Sequence, residues 1–178
     1  MLKHSARLAT NIIQHSVNNK HFLSTTATPI VLCGVTSTMG SRVAPRMAPE
    51  YEVIQFVNSV ARAKSEILAL KTGKAVAPDP DNVGTHNFSK PPEAVVFGRG
   101  FDDKQVEEIR QACGGDTSEL TWMMGKKEDR EQMKASPPDF NKPGASDAYA
   151  EQSAAANKAA LDKLKADGTW GDGQLHYY

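Results

Sequence analysis

Gly34, Thr36, Ser37, Thr38 and Gly40 bring two glycines and three hydroxyls into seven residues, between an apolar run and a stretch of helical character. A loop that follows a strand and opens a helix has the context a phosphate site needs. Backbone N–H groups at a helix start attract an anion, and the hydroxyls add donors. Met39 completes the segment Gly34-Val35-Thr36-Ser37-Thr38-Met39-Gly40. The same residues also fit a polar turn in which Thr36, Ser37 or Thr38 caps the helix, and both readings are open. Two further residues join the candidate set. Arg99, flanked by Gly98 and Gly100, offers a fork of donors suited to a phosphate or carboxylate, and equally fits a solvated loop. Asn58 ends a second apolar segment, where it either faces a ribose or caps the next helix.

The elements that must position these residues alternate along the chain. Ile30–Cys33 reads as a buried strand and is followed by a helix over 38–47 that Pro45 kinks or shortens. Tyr51–Val57, rich in aromatic and β-branched residues, is a second strand. A helix to about Thr72 follows from Asn58 or Ser59, with Val60, Ala63, Ile67, Leu68 and Leu70 inward. Residues 74–92 hold four prolines and few apolar anchors, a loop long enough to be functional or disordered. Ala94–Phe97 is the third strand. Asp102 and Gln105 then form a capping-box start to a helix whose apolar stripe is Val106, Ile109, Ala112 and Cys113. Leu120–Met124 is the fourth strand, and residues 125–145, charged and Pro-rich, are expected to be a mobile surface segment. Ser146 should cap an alanine-rich helix that Gly168 stops, with a last strand over 174–178. This order predicts a three-layer, doubly wound α/β domain over 30–178. Its five mostly parallel strands would be arranged either as 2-1-3-4-5, flavodoxin-like, or as a shortened Rossmann sheet.

The loop segment resembles the G-A-[ST]-G-x-x-G fingerprint of NmrA-like and other atypical short-chain dehydrogenase relatives. Gly34, Thr36 and Gly40 fall on matching positions, and Ser37 stands where the family has its middle glycine. Thr36-Ser37-Thr38 also resembles the hydroxyl-rich phosphate loop of flavodoxins. These resemblances cover the loop and its strand–helix setting, and imply a nicotinamide cofactor or FMN. No acid ends the second strand to hold NAD ribose hydroxyls, and Arg62 lies one helical turn on, so NADP is favoured over NAD.

Catalytic patterns are sparse. None of the four tyrosines heads the Tyr-x-x-x-Lys pair of a short-chain dehydrogenase. Gly144-Ala145-Ser146-Asp147-Ala148 has the outline of a nucleophile elbow but follows no strand. His86 and His176 lack metal-ligand spacing, so no metal site is expected. Asp102 and Asp103 fit a helix N-terminus. Cys33 and Cys113 suit buried apolar positions better than a disulfide framework. A formal net charge of zero gives no electrostatic footprint for nucleic acid.

The N-terminus follows other rules, since the first acidic residue is Glu50. Leu2, Ala6, Ile12, Ile13 and Val17 can share one side of a basic amphipathic helix, the composition of a mitochondrial transit peptide. Lys20, Phe22 and Thr25 resemble a matrix-processing site with lysine in place of arginine, which puts the mature start near Ile30. No run approaches the ~20 apolar residues of a membrane span. The resulting expectation is a small protein of the mitochondrial matrix that binds a nucleotide cofactor or serves a mitochondrial protein partner as an accessory subunit. It lacks a complete catalytic set. Two alternatives stand beside it. One is an oxidoreductase using NADP(H) or a flavin under lids formed by 74–92 and 125–145. The other is a non-catalytic interaction module anchored by Trp170, Tyr177 and Tyr178.

Overall fold

A computed structural model describes residues 27–178 of the chain. Among these residues five short segments, β1 (Thr28–Cys33), β2 (Tyr51–Val57), β3 (Ala94–Phe97), β4 (Thr121–Met124) and β5 (Leu175–Tyr177), form one sheet. Its order is β2-β1-β3-β4-β5, and every neighbouring pair is parallel. β1, β3 and β4 are near-continuous apolar runs because parallel strands are covered on both faces. The sheet is the expected doubly wound α/β architecture, in the 2-1-3-4-5 order.

Helices α1 (Ser37–Val43) and α5 (Ala145–Asp167) cover one face, packing on Ile30, Leu32, Phe56, Val96 and Met123. Helices α2 (Val60–Lys71) and α3 (Asp103–Ala112) cover the other, over Val31, Cys33, Val57, Phe97 and Trp122. Pro45 acts as expected. The α-helix stops at Val43 and Ala44–Met47 continues as a 3-10 turn. The capping box forms in full, with Asp102 accepting from the Gln105 N–H and Gln105 accepting from the Asp102 N–H.

Four local expectations need correction. Leu68 is exposed, because α2 turns Ala63, Ile67 and Leu70 inward and leaves Leu68 off that stripe. Ala112 is exposed for the same reason on α3, whose buried line runs Val106, Ile109, Cys113. Within the surface segment 125–145, where the sequence predicts no helix, Lys127–Ala135 forms α4. Its anchor is the buried Arg130, which donates to both carboxylate oxygens of Asp103 at 2.8 and 2.7 Å and to the carbonyls of Gly125 and Phe101. Ser146 does not cap α5; Gly144, in the left-handed region at φ 77°, precedes the helix with no side-chain cap.

The 74–92 loop has no regular structure but is pinned to the exposed edge of β2. Thr85 and His86 donate backbone N–H bonds to Val53 and Ile54, which blunts that edge. Gly84 makes the approach feasible at φ 104°, where a Cβ would lie 3.0 Å from the Val53 carbonyl. The expected transit peptide lies outside the described residues except for its last three. β1 takes in Thr28 and Pro29, so a cut ahead of Ile30 would remove two paired positions. Among the described residues no helix is long and apolar enough to cross a membrane.

Candidate functional site

The chain moves outward from β1 to β2 on one side, then crosses back to place β3 on the other. The loops leaving β1 and β3 therefore diverge, and a crevice opens between them at the carboxyl edge of the sheet. A cavity of about 510 Å³ lies there, within the size range of small-molecule sites. The loops after β1 and β3, helices α1 and α5, the segment after α4 and Tyr178 all contribute to its walls.

Small side chains keep it open. The buried stripe of α5 is Ala150, Ala154, Asn157 and Leu161, and Ser146, Ser153 and Ala156 border the cavity beside it. An alanine-rich face cannot fill the space between α5 and α1 as leucines would. On the opposite wall Gly40 lies flat on Phe56: a Cβ there would come within 2.6 Å of the Phe56 ring. Ion pairs tie α5 to α1 and to the 3-10 turn that follows it, from Arg42 to Asp147 at 2.8 Å and from Arg46 to Glu151 at 3.2 Å.

The polar groups inside are few. The Arg99 guanidinium sits over the Tyr149 ring at 5.2 Å, and one of its terminal nitrogens is buried with no hydrogen-bond partner. Asn157, 5% exposed, has its buried Oδ1 unpartnered as well. Buried polar atoms in native structures rarely lack a partner, so two on residues that line one cavity are informative. Burial pushes the Tyr178 hydroxyl up to about 12, against the opposing pull of Arg99. The lining includes no Asp, Glu, His or Lys side chain, which leaves Arg99 as its charged side chain. α1 has only seven residues, so the guanidinium, rather than a helix dipole, must supply the attraction for an anion.

Six of the eight residues singled out from the sequence come together here: Gly34, Thr36, Thr38, Met39, Gly40 and Arg99 line the cavity. Ser37 and Asn58 do not. Thr36 occupies the N-cap position of α1 without a side-chain capping bond. Asn58 is not the cap of α2. Ser59 accepts from the Arg62 N–H, and Asn58 accepts from the Arg62 guanidinium at 3.2 Å. That guanidinium is further committed to Glu66 at 2.6 Å and Asp79 at 3.2 Å, so Arg62 is held within the fold. The 74–92 loop does not border the cavity, whereas Met133, Pro137, Pro138 and Phe140 do. Phe140 meets Tyr149 edge-on at 5.4 Å between centroids.

Sequence reasoning missed Asn157, Tyr149 and the inward placement of Tyr178. The signal for Asn157 was present, as a lone amide at helical spacing in the stripe Ala150, Ala154, Leu161. β5 runs parallel to β4, which brings Tyr178 to the same sheet edge as Gly34 and Gly98, where its backbone N–H donates to Met124.

Kojic acid related protein 6 of Aspergillus oryzae is 38% identical to this chain over 98 residues, covering 53% of this chain and 57% of that protein. The chain thus spans a little over half the length of this curated relative. No protein-family profile and no solved structure matches it.

Proposed function

We propose that this protein binds a phosphorylated nucleotide cofactor of mononucleotide size in the β1/β3 crevice, with the phosphate on Arg99. The observation that carries the reading is the buried, unpartnered guanidinium nitrogen of Arg99, on the wall of a cavity that holds no Asp or Glu side chain. A phosphate or carboxylate oxygen is the natural partner for it. FMN fits better than NADP(H). A dinucleotide would need the β2 end for its second ribose, and there Asn58 and Arg62 already satisfy each other. A lining without an Asp, Glu, His or Lys side chain supports binding, or service as an accessory subunit, over a self-contained enzyme.

The test is a thermal-shift titration of the full chain with FMN, FAD, NADPH and NADH. The relative's name adds kojic acid, a hydroxylated pyranone, to the panel. A ligand at a hundred times its dissociation constant adds about 2.7 kcal/mol, enough to move the melting temperature by several degrees. FMN should give the largest saturable shift, and Arg99→Met should remove most of it without lowering the unliganded melting temperature. No shift with any phosphorylated member would overturn the proposal.

The same proposal puts the protein in the mitochondrial matrix, on the strength of 49 residues without an acid. A C-terminal fluorescent fusion should co-localise with mitochondria and lose that pattern when residues 1–26 are deleted, a cut that spares β1. An unchanged distribution would sink the localisation.

A further inference from the structure

Arg99 accounts for one end of the cavity; Asn157 remains at the other. Arg99 stacks on Tyr149, and Asn157 lies eight residues further along α5, about 12 Å of helix. A free phosphate does not span that separation, and a mononucleotide does. The lining also includes Leu32, Met39, Val43 and Phe56, apolar surface that suits a flat ring. Asn157, on the cavity lining, carries a carbonyl and an NH2 side by side, the pairing with which an asparagine reads a complementary ring edge through two hydrogen bonds. Its buried Oδ1 lacks a donor, in a stripe otherwise made of Ala150, Ala154 and Leu161. An apolar residue at this position would fold at no such cost.

We infer that Asn157 is the specificity determinant of the site, and that the ligand presents to it a ring edge with an N–H beside a carbonyl, a lactam or imide. The ligand class is then a phosphorylated lactam- or imide-bearing heterocycle, such as a flavin or uracil nucleotide. This rests on the assignment of Arg99 to the phosphate, and the two can fail separately.

The experiment measures affinities of the full-length protein for FMN, for riboflavin, which lacks the phosphate, and for riboflavin methylated at N3, which lacks the imide N–H. Uridine monophosphate and its N3-methyl form are measured alongside. Wild type should bind the N3-methyl compounds at least about tenfold more weakly than their parents. Asn157→Leu should lose that discrimination and about tenfold in affinity for each parent compound, while its unliganded melting temperature stays level or rises. Arg99→Met should erase the preference for FMN over riboflavin and keep the N3-methyl discrimination. Equal binding of parent and N3-methyl compounds by wild type overturns the inference without recourse to any variant. So does an Asn157→Leu protein that melts lower and binds as wild type does, the mark of an asparagine that serves packing alone. If FMN binds no tighter than riboflavin yet N3 methylation still weakens binding, the phosphate assignment falls and the role of Asn157 stands. No binding of FMN, riboflavin or uridine monophosphate overturns both.

Discussion

The two faces of the sheet are built to opposite ends. Over α2 and α3, Phe97, Trp122, Phe101, Ile67 and Ile109 interlock into a filled layer; Phe97 and Trp122 stack at 6.2 Å, and Phe101 meets Phe97 edge-on. Across the sheet, α5 presents alanine and serine toward α1 and leaves a cavity with two polar orphans. Both faces share the same strands, so the contrast lies in what the helices bring. One face supplies stability through close packing, and the other leaves stabilising contacts unmade where a ligand can complete them.

The largest effect expected is on the filled face. Trp122 is fully buried, and its Nε1 donates to Ser118 Oγ at 2.8 Å. Trp122→Ala should cost about 3–5 kcal/mol, read from urea unfolding. A loss below about 1 kcal/mol would erase the contrast between faces.

Next comes Arg130, which ties α4 to α3 above the sheet edge and brings Met133 to the cavity. Arg130→Met strands the Gly125 and Phe101 carbonyls and should cost about 2 kcal/mol at pH 7, less than a fully buried pair because Asp103 is 45% exposed. Hydrogen bonding to Arg130, then to Tyr177, holds the Asp103 carboxyl below its ordinary value. That stabilisation is present above the unfolded carboxylate pKa of about 4 and is lost as pH falls through the lower folded value. The difference between wild type and Arg130→Met should therefore be constant from pH 7 to about 5 and shrink below about 4. A difference that grew on acidification would refute the assignment.

The legibility of the two faces also differs. β2 and β3 were readable end to end, because their apolar and β-branched runs are bounded by polar or glycine residues. The Asp102–Gln105 box and the Gly168 stop were readable because each satisfies local backbone groups. α4 was not, since a helix held by one arginine on backbone carbonyls and a carboxylate leaves no apolar period to detect. The phosphate-like loop was legible as a motif, but its partner groups come from Arg99, Tyr149 and Asn157, which only the strand order brings together. A cavity is an absence of side chains, and alanine in a helix reads as propensity before it reads as space.

Gly40→Ala tests the closed wall of the open face. Its Cβ would meet the Phe56 ring at 2.6 Å, so the variant should lose about 1–2 kcal/mol. A neutral outcome would mean that Phe56 yields into the cavity, which a reduced ligand affinity would report. For the same reason, Gly40 variants are poor probes of phosphate binding by themselves.

The smallest change in stability should carry the largest change in binding. Ser153→Leu places a branched apolar side chain into the gap beside Ala154 and Asn157. Each added methylene that finds contact contributes up to about 0.8 kcal/mol, offset by steric adjustment, so a net gain of about 0.5–1 kcal/mol is expected in urea unfolding. The FMN-induced thermal shift should vanish in the same variant, because the ring's space is taken while Arg99 is untouched. The same substitution on a fully packed face would lower stability instead. A destabilised Ser153→Leu protein that still binds FMN would mean that this face is packed as tightly as its opposite, and that the ligand sits at the rim alone.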